Sequence, residues 1–262
     1  MLSSLSLVAT SAASLVSTSR RFVPVPYGST YEAVSACPLI SCDGKVAYSG
    51  AVKLLELSHW TDNATPDELY ADTSTECALK LHTARQAGRY SEFDDAVVLN
   101  NHFDSDGVLS VFACIHPEEA SAHSTLLAAG AAAGDFGEWP SNAGVKLDAA
   151  IEAIGEGAAT DAEAYEEALV KLPWLLDDLS SRGGSESIQL WSEGWQSTTE
   201  SWAAFTAGDA SVSSSGGARL EPPVDVHDES SRCALRIQAS PCWSNRWASA
   251  SRHRRCTAPS LS

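Results

Sequence analysis

Apolar residues along this chain follow two rhythms. The first is a set of short runs: Leu39-Ile40-Ser41-Cys42, Val52-Lys53-Leu54-Leu55-Glu56-Leu57 and Ala96-Val97-Val98-Leu99. Runs of this length bounded by turn residues predict strands. One is short and ends at Asp43-Gly44, a better one runs into Ser58-His59-Trp60, and a third covers 96–101. Between the second and third, Thr65-Pro66-Asp67-Glu68 and Thr73-Ser74-Thr75-Glu76 both carry capping-box spacing, the first with a proline at the first helical position. They predict helical pieces over about 66–71 and 74–84, ended by Gly88. A further apolar run over 108–115 predicts a helix.

The rhythm then changes to threes and fours. Residues 118–133 read as a helix anchored by Leu126 and Leu127, followed by a turn rich in breakers from Gly134 to Pro140. Residues 146–154 read as a short helix. Thr160-Asp161-Ala162-Glu163 opens a longer one that carries Tyr165, Leu169, Leu172 and Leu176, with a kink expected at Pro173. Trp191, Trp195 and Trp202 share one face of a helix over 187–207 and read as core packing.

The order strand, helix, strand, helix implies parallel strands joined by crossovers. The expected fold class is therefore α/β: a parallel-sheet core, then a mostly helical region, then a disordered C-terminal tail. The expected boundaries are 1–20 for a disordered or transit-like N-terminus, 21–207 for the α/β domain, and 208–262 for a Ser- and Gly-rich linker and basic tail. In parallel sheets, ligands bind beyond the carboxyl ends of the strands. His59 and His102 each follow a predicted strand and are expected on that edge.

Charge narrows the function. The net charge is −17, although residues from 231 onward hold six Arg and no acid. So acidic a body repels nucleic-acid backbones and anionic membranes, and needs a metal ion to bring in phosphates. No run approaches the length of a membrane span. Residues 1–21 lack the basic start of a secretory signal. Seven cysteines without regular spacing, and with no Cys-x-x-Cys, do not form a disulfide framework. The expected location is cytoplasmic. A plastid or mitochondrion reached through a short transit peptide is the alternative. Hydride-transfer, kinase and serine-hydrolase chemistry have no supporting motif.

The candidate chemistry lies in Asn100-Asn101-His102-Phe103-Asp104-Ser105-Asp106-Gly107. If the chain stays extended there, His102, Asp104 and Asp106 alternate onto one side and converge. One imidazole and two carboxylates suit a divalent cation such as manganese or zinc. Asp-x-Asp-Gly is equally ordinary turn and helix-cap chemistry, with Gly107 allowing a tight turn. His59 is a candidate ligand or general acid/base, or else a histidine hydrogen-bonded in a loop. His116 and His123 stand seven apart but are separated by Pro117.

Two resemblances rest on these residues. Leu57-Ser58-His59-Trp60, the Thr65-Pro66 and Glu68-Leu69 segment, Ala71-Asp72-Thr73-Ser74-Thr75 and the stretch from Asn100 to Ser110, with Gly134-Asp135-Phe136, together resemble an uncharacterised family of no assigned function across about 21–205. Separately, a strand followed by Asp104-Ser105-Asp106-Gly107 and a helix is similar to the first metal motif of the DHH phosphoesterases, which hold two manganese ions and cleave phosphodiester or pyrophosphate bonds. That resemblance implies Asp104 and Asp106 as metal ligands with His102 nearby. The Asp-His-His triplet that defines the family is absent here, and no downstream strand supplies the remaining ligands. The expectation is a metal-dependent phosphoesterase-like hydrolase, manganese favoured, acting on a small phosphorylated molecule. The rival is a non-catalytic α/β binding protein in which the Asp-x-Asp-Gly segment is a structural turn and helix cap.

Overall fold

Four short strands pair in parallel in the computed structural model, which describes residues 20–33 and 37–207. They are β1 (Arg21–Pro24), β3 (Leu39–Cys42), β5 (Leu54–Leu57) and β6 (Val97–Asn100), in the order β1-β6-β3-β5. A separate parallel pair joins β2 (Thr30–Glu32) to β4 (Ala47–Ser49). The sheet's alternation follows from the pleat. Ile40, Cys42, Leu55, Leu57 and Val98 face the larger core, whereas Leu39, Val97 and Leu99 face a smaller cluster with Val25 and Val46. The α/β class with parallel strands is thus observed, and β3 lies between the two strands that the sequence treats as successive.

Helices α1 (Ser74–Gln86) and α2 (Ser105–Ile115) pack together beneath the first face. They are followed by α3 (Pro117–Ala122), α4 (Ser124–Phe136), α5 (Asn142–Gly157), α6 (Asp161–Arg182) and α7 (Ile188–Ala207). Thr73 caps α1 with the full capping box expected of it, and Thr160 caps α6. Trp191 is buried in the core and Trp195 packs half-buried against it, whereas Trp202 is half-buried outside the core clusters, and Trp139 lies edge-on to both Trp195 and Trp202.

Several expectations change. Residues 66–71 form one hydrogen-bonded turn, with Leu69 and Tyr70 both bonding to the Pro66 carbonyl, because the apolar run there is too short to extend it. The expected 118–133 helix is broken at His123, and its second part continues through the predicted turn to Phe136. The helix α6 runs through Pro173 to Arg182. β1 is a strand that the Pro-rich sequence around it concealed. Arg20, assigned to the N-terminal segment, is buried and donates to the carbonyls of Phe93 and Cys114. Residues 1–19, and the linker and tail expected from 208, lie outside the described residues.

Candidate metal centre

Because the four strands are parallel, their carboxyl ends share one edge. β3 delivers Asp43, β5 delivers His59 and β6 delivers the segment holding His102. The loop after β5 is held by its own polar groups. Ser58 N–H donates to Thr65 Oγ1 (2.8 Å), which donates back to the Ser58 carbonyl (2.8 Å), and Gly44 N–H donates to Ser58 Oγ (3.1 Å). Ser74 Oγ receives the His59 N–H and donates to Asp43 Oδ1 at 2.9 Å. These bonds place the His59 ring over the β3 end.

The structure sorts the predicted residues into two groups. Asp43, His59, Asp106 and Asp135 offer ligand atoms all within 4.8 Å of one another, and so do Asp43, His102 and Asp104. His102, Asp104 and Asp106 therefore do not converge on a single point. The strand ends at Asn100 and the chain turns, so the alternation expected of an extended segment is lost. Asp104 becomes the N-cap of α2, accepting the Gly107 N–H at 2.7 Å. Asp106 lies two residues further, in the first turn of α2, and points the other way. It is fully buried and accepts the N–H groups of Ser74 (2.7 Å) and Thr75 (2.8 Å) at the start of α1. The cap reading is therefore correct for Asp104, and it coexists with the clustering.

Asp43 joins the two groups. Its Oδ1 lies 3.7 Å from His59 Nε2 and its Oδ2 lies 2.9 Å from His102 Nε2. One carboxylate thus presents a separate oxygen to each histidine. His102 Nε2 also stands 3.1 Å from Asp104 Oδ2, and its Nδ1 is 3.0 Å from Asn101 Oδ1. The Asn101 amide nitrogen donates to the Lys45 carbonyl at 3.1 Å, which leaves Oδ1 toward the ring. With Nδ1–H assigned as donor to that oxygen, Nε2 is the nitrogen turned to the carboxylates, the arrangement of metal-binding histidines. His59 Nε2 is surrounded by Asp135 (2.8 Å), Asp43 (3.7 Å) and Asp106 (3.7 Å). The short approach to Asp135 is off the ring N–H direction, so this buried nitrogen has no aligned hydrogen-bond partner.

The charges are unbalanced. Among the described residues, no Lys or Arg pairs with Asp43, Asp104, Asp106 or Asp135. Burial and the neighbouring Asp43 and Asp135 charges push Asp106 well above the ordinary carboxylate range. Burial also lifts Asp135 to about 7, against the pull of His59. Burial lowers His59, but Asp135, Asp106 and Asp43 outweigh it and raise the imidazole to about 9. His102 is likewise raised by Asp104 and Asp43 against its burial. For Asp104 burial acts upward, but His102 and the Gly107 N–H hold its carboxyl below the usual range.

Asp43 and Asp135 are two members of these groups that the sequence does not single out. Asp43 follows a strand and precedes a glycine, the same local signal that singled out the Asp106 segment, but upstream of it. Asp135 lies in the last turn of α4, drawn in by Gly134, where a Cβ would stand 2.8 Å from Ser105 Cβ and 2.9 Å from Asp148 Oδ1. Gly107 serves a different purpose from the tight turn expected. It is helical, and a Cβ there would lie 2.8 Å from Asn100 Nδ2, 2.9 Å from the Tyr165 hydroxyl and 3.0 Å from Asp104 Oδ1. His116 and His123 take no part in either group.

The donor set suits a hard divalent cation. It comprises carboxylate oxygens and imidazole nitrogens, with no thiolate in either group. No helix among the described residues is long and apolar enough to cross a membrane. No curated protein matches the chain. No solved structure matches it either. The likeness to DHH phosphoesterases gains nothing from these comparisons and rests on the motif alone. One family model does match, over residues 18–227, and the chain belongs to that family, described as a family of unknown function (DUF6687).

Proposed function

We propose that this edge of the sheet is a two-cation centre of a phosphoesterase-like hydrolase that acts on a small phosphorylated substrate, with manganese the favoured ion. The observation that supports it best is the sharing of Asp43 between two histidine-carboxylate groups that have no cation of their own. Asp43, His59, Asp106 and Asp135 would hold one ion, and Asp43, His102 and Asp104 the other. Bound cations would neutralise phosphate charge and lower the pKa of a water molecule. The chain's own part is to fix the ligands. Ser74 and Thr75 N–H groups hold Asp106, Asn101 holds the His102 tautomer, and Ser74 Oγ orients Asp43. His59, flanked by three carboxylates, fits a ligand better than a free general acid/base.

A second reading keeps a specific observation in its favour. Asp104 caps α2 and Asp106 satisfies the first turn of α1, so both carboxylates have structural work without any ion. A binding protein without catalysis would need nothing more. Calorimetric titration with manganese and zinc separates the readings. The wild type is expected to bind two equivalents, Asp43→Asn to lose both steps, and Asp104→Asn to lose one. Release of phosphate from p-nitrophenyl phosphate by the manganese-loaded protein then tests catalysis. Equal heats for wild type and Asp43→Asn would overturn the cation centre. Two bound ions without turnover on any phosphoester would favour the binding protein.

A further inference from the structure

The opening of the centre has an aromatic wall. Asp104 and His102 are its more accessible members, with side chains 36% and 22% exposed. Beside them stands Trp60, whose ring centroid is 5.3 Å from that of His102 and which leaves 47% of its surface to solvent. Its backbone is not loose. The Trp60 N–H donates to Ser58 Oγ, and the Trp60 carbonyl accepts from Asn63 Nδ2. A second half-exposed ring, Tyr70, donates to the carbonyl of His59 at 3.5 Å. Lys45 is exposed two residues after Asp43, its backbone carbonyl accepts from Asn101 Nδ2 at 3.1 Å, and its ammonium lies 3.4 Å from the Asp62 carbonyl. Among the described residues no carboxylate pairs with it. A half-exposed indole next to the more accessible residues of a polar site offers an apolar, aromatic face to a ligand bound there. A cation without an acidic partner, in a chain this acidic, suits an anionic ligand.

We infer that the site selects phosphate compounds that carry a planar aromatic group, with Trp60 against the ring and Lys45 against the anion. The inference rests on the cation-centre reading and adds the substrate class to it. Phosphate placed at the two ions leaves its ester group directed to the rim, and Trp60 is the apolar surface there next to His102. An aliphatic ester would gain little from that contact. A flat ring would gain the stacking contribution of an aromatic pair, which corresponds to roughly a two- to tenfold preference.

Binding of phenylphosphonate and methylphosphonate to the full manganese-loaded chain tests this without requiring turnover. In the wild type, phenylphosphonate is expected to bind several-fold more tightly. That ratio should fall toward one in Trp60→Ala and persist in Trp60→Phe, and Lys45→Ala should weaken both ligands together. An aromatic preference without hydrolysis of phenyl phosphate would sink the hydrolase reading and leave the inference standing. Equal affinities in the wild type would overturn it, as would an unchanged ratio in Trp60→Ala. Failure of both phosphonates to bind a protein that holds manganese would also overturn it.

Discussion

At the scale of single residues, Asn101 decides what His102 can do. An imidazole offers its two nitrogens to different partners, and fixing one fixes the other. Asn101 presents its oxygen to Nδ1 because its amide nitrogen is committed to the Lys45 carbonyl. Asn101→Leu is expected to release the tautomer and to weaken binding of the proposed ion at His102 and Asp104 by about 10- to 100-fold, the usual cost of losing an outer-shell partner. Asn101→Asp keeps an acceptor for Nδ1 but loses the donor to the Lys45 carbonyl, so it should recover only part of that loss. Manganese titration followed by electron paramagnetic resonance reads the two steps separately, and an equal loss at both would show that Asn101 acts on the fold instead.

At the scale of elements, the centre is a meeting of helix starts with strand ends. Four N–H groups at a helix start lack partners within the helix. In α1, Thr73 and Glu76 satisfy the capping box, and the buried Asp106 takes the N–H groups of Ser74 and Thr75. Negative charge at that end also suits the helix dipole. Removing the cap with Thr73→Ala should cost about 1 kcal/mol in urea unfolding. The two bonds from α1 to Asp106 remain in that variant, so manganese affinity should stay within about twofold, on the scale where tenfold is 1.4 kcal/mol. Loss of binding in Thr73→Ala would mean that Asp106 does not hold the first turn without the cap.

At the scale of the whole molecule, an acidic protein has gathered four carboxylates and two histidines without a matching cation. Their protonation ties stability to pH. His59 titrates at about 9 in the fold against an ordinary 6.5, so its contribution is complete below 6.5 and is lost as pH rises through about 9. Asp135 titrates at about 7 against 3.8, so its contribution is complete below 3.8 and is lost as pH rises through about 7. Both act in one direction. The cation-free protein should melt at progressively lower temperature from pH 5 to pH 9. A bound ion requires deprotonated ligands, so its affinity should rise over the same range. At a hundredfold excess over the dissociation constant, an ion adds about 2.7 kcal/mol, a rise of roughly 5–10 °C for a domain of this size. Scanning fluorimetry across pH with and without manganese measures both trends. A melting temperature of the cation-free protein that climbs toward pH 9 would contradict the arrangement of charges described above.

Much of this was legible along the chain. Short apolar runs bounded by Asp43-Gly44, Ser58-His59 and Asn100-Asn101 marked where β3, β5 and β6 end, because a buried parallel strand needs continuous apolar residues and its exit needs turn chemistry. The capping box at Thr73 and the capping threonine at Thr160 placed the starts of α1 and α6 for equally local reasons. A Ser58-His59 exit from β5 and an Asn100-Asn101-His102 exit from β6, on parallel strands, were enough to put His59 and His102 on one edge. Which carboxylates meet which histidine was a different matter. Asp104 and Asp106 are two residues apart, yet the turn into α2 sends them to separate groups. Asp43 and Asp135 reach the same point from positions 92 residues apart in the numbering. No periodicity records such a meeting. It depends on β3 lying between β5 and β6 and on Gly134 allowing α4 to approach α2 and α5, and only tertiary packing decides both.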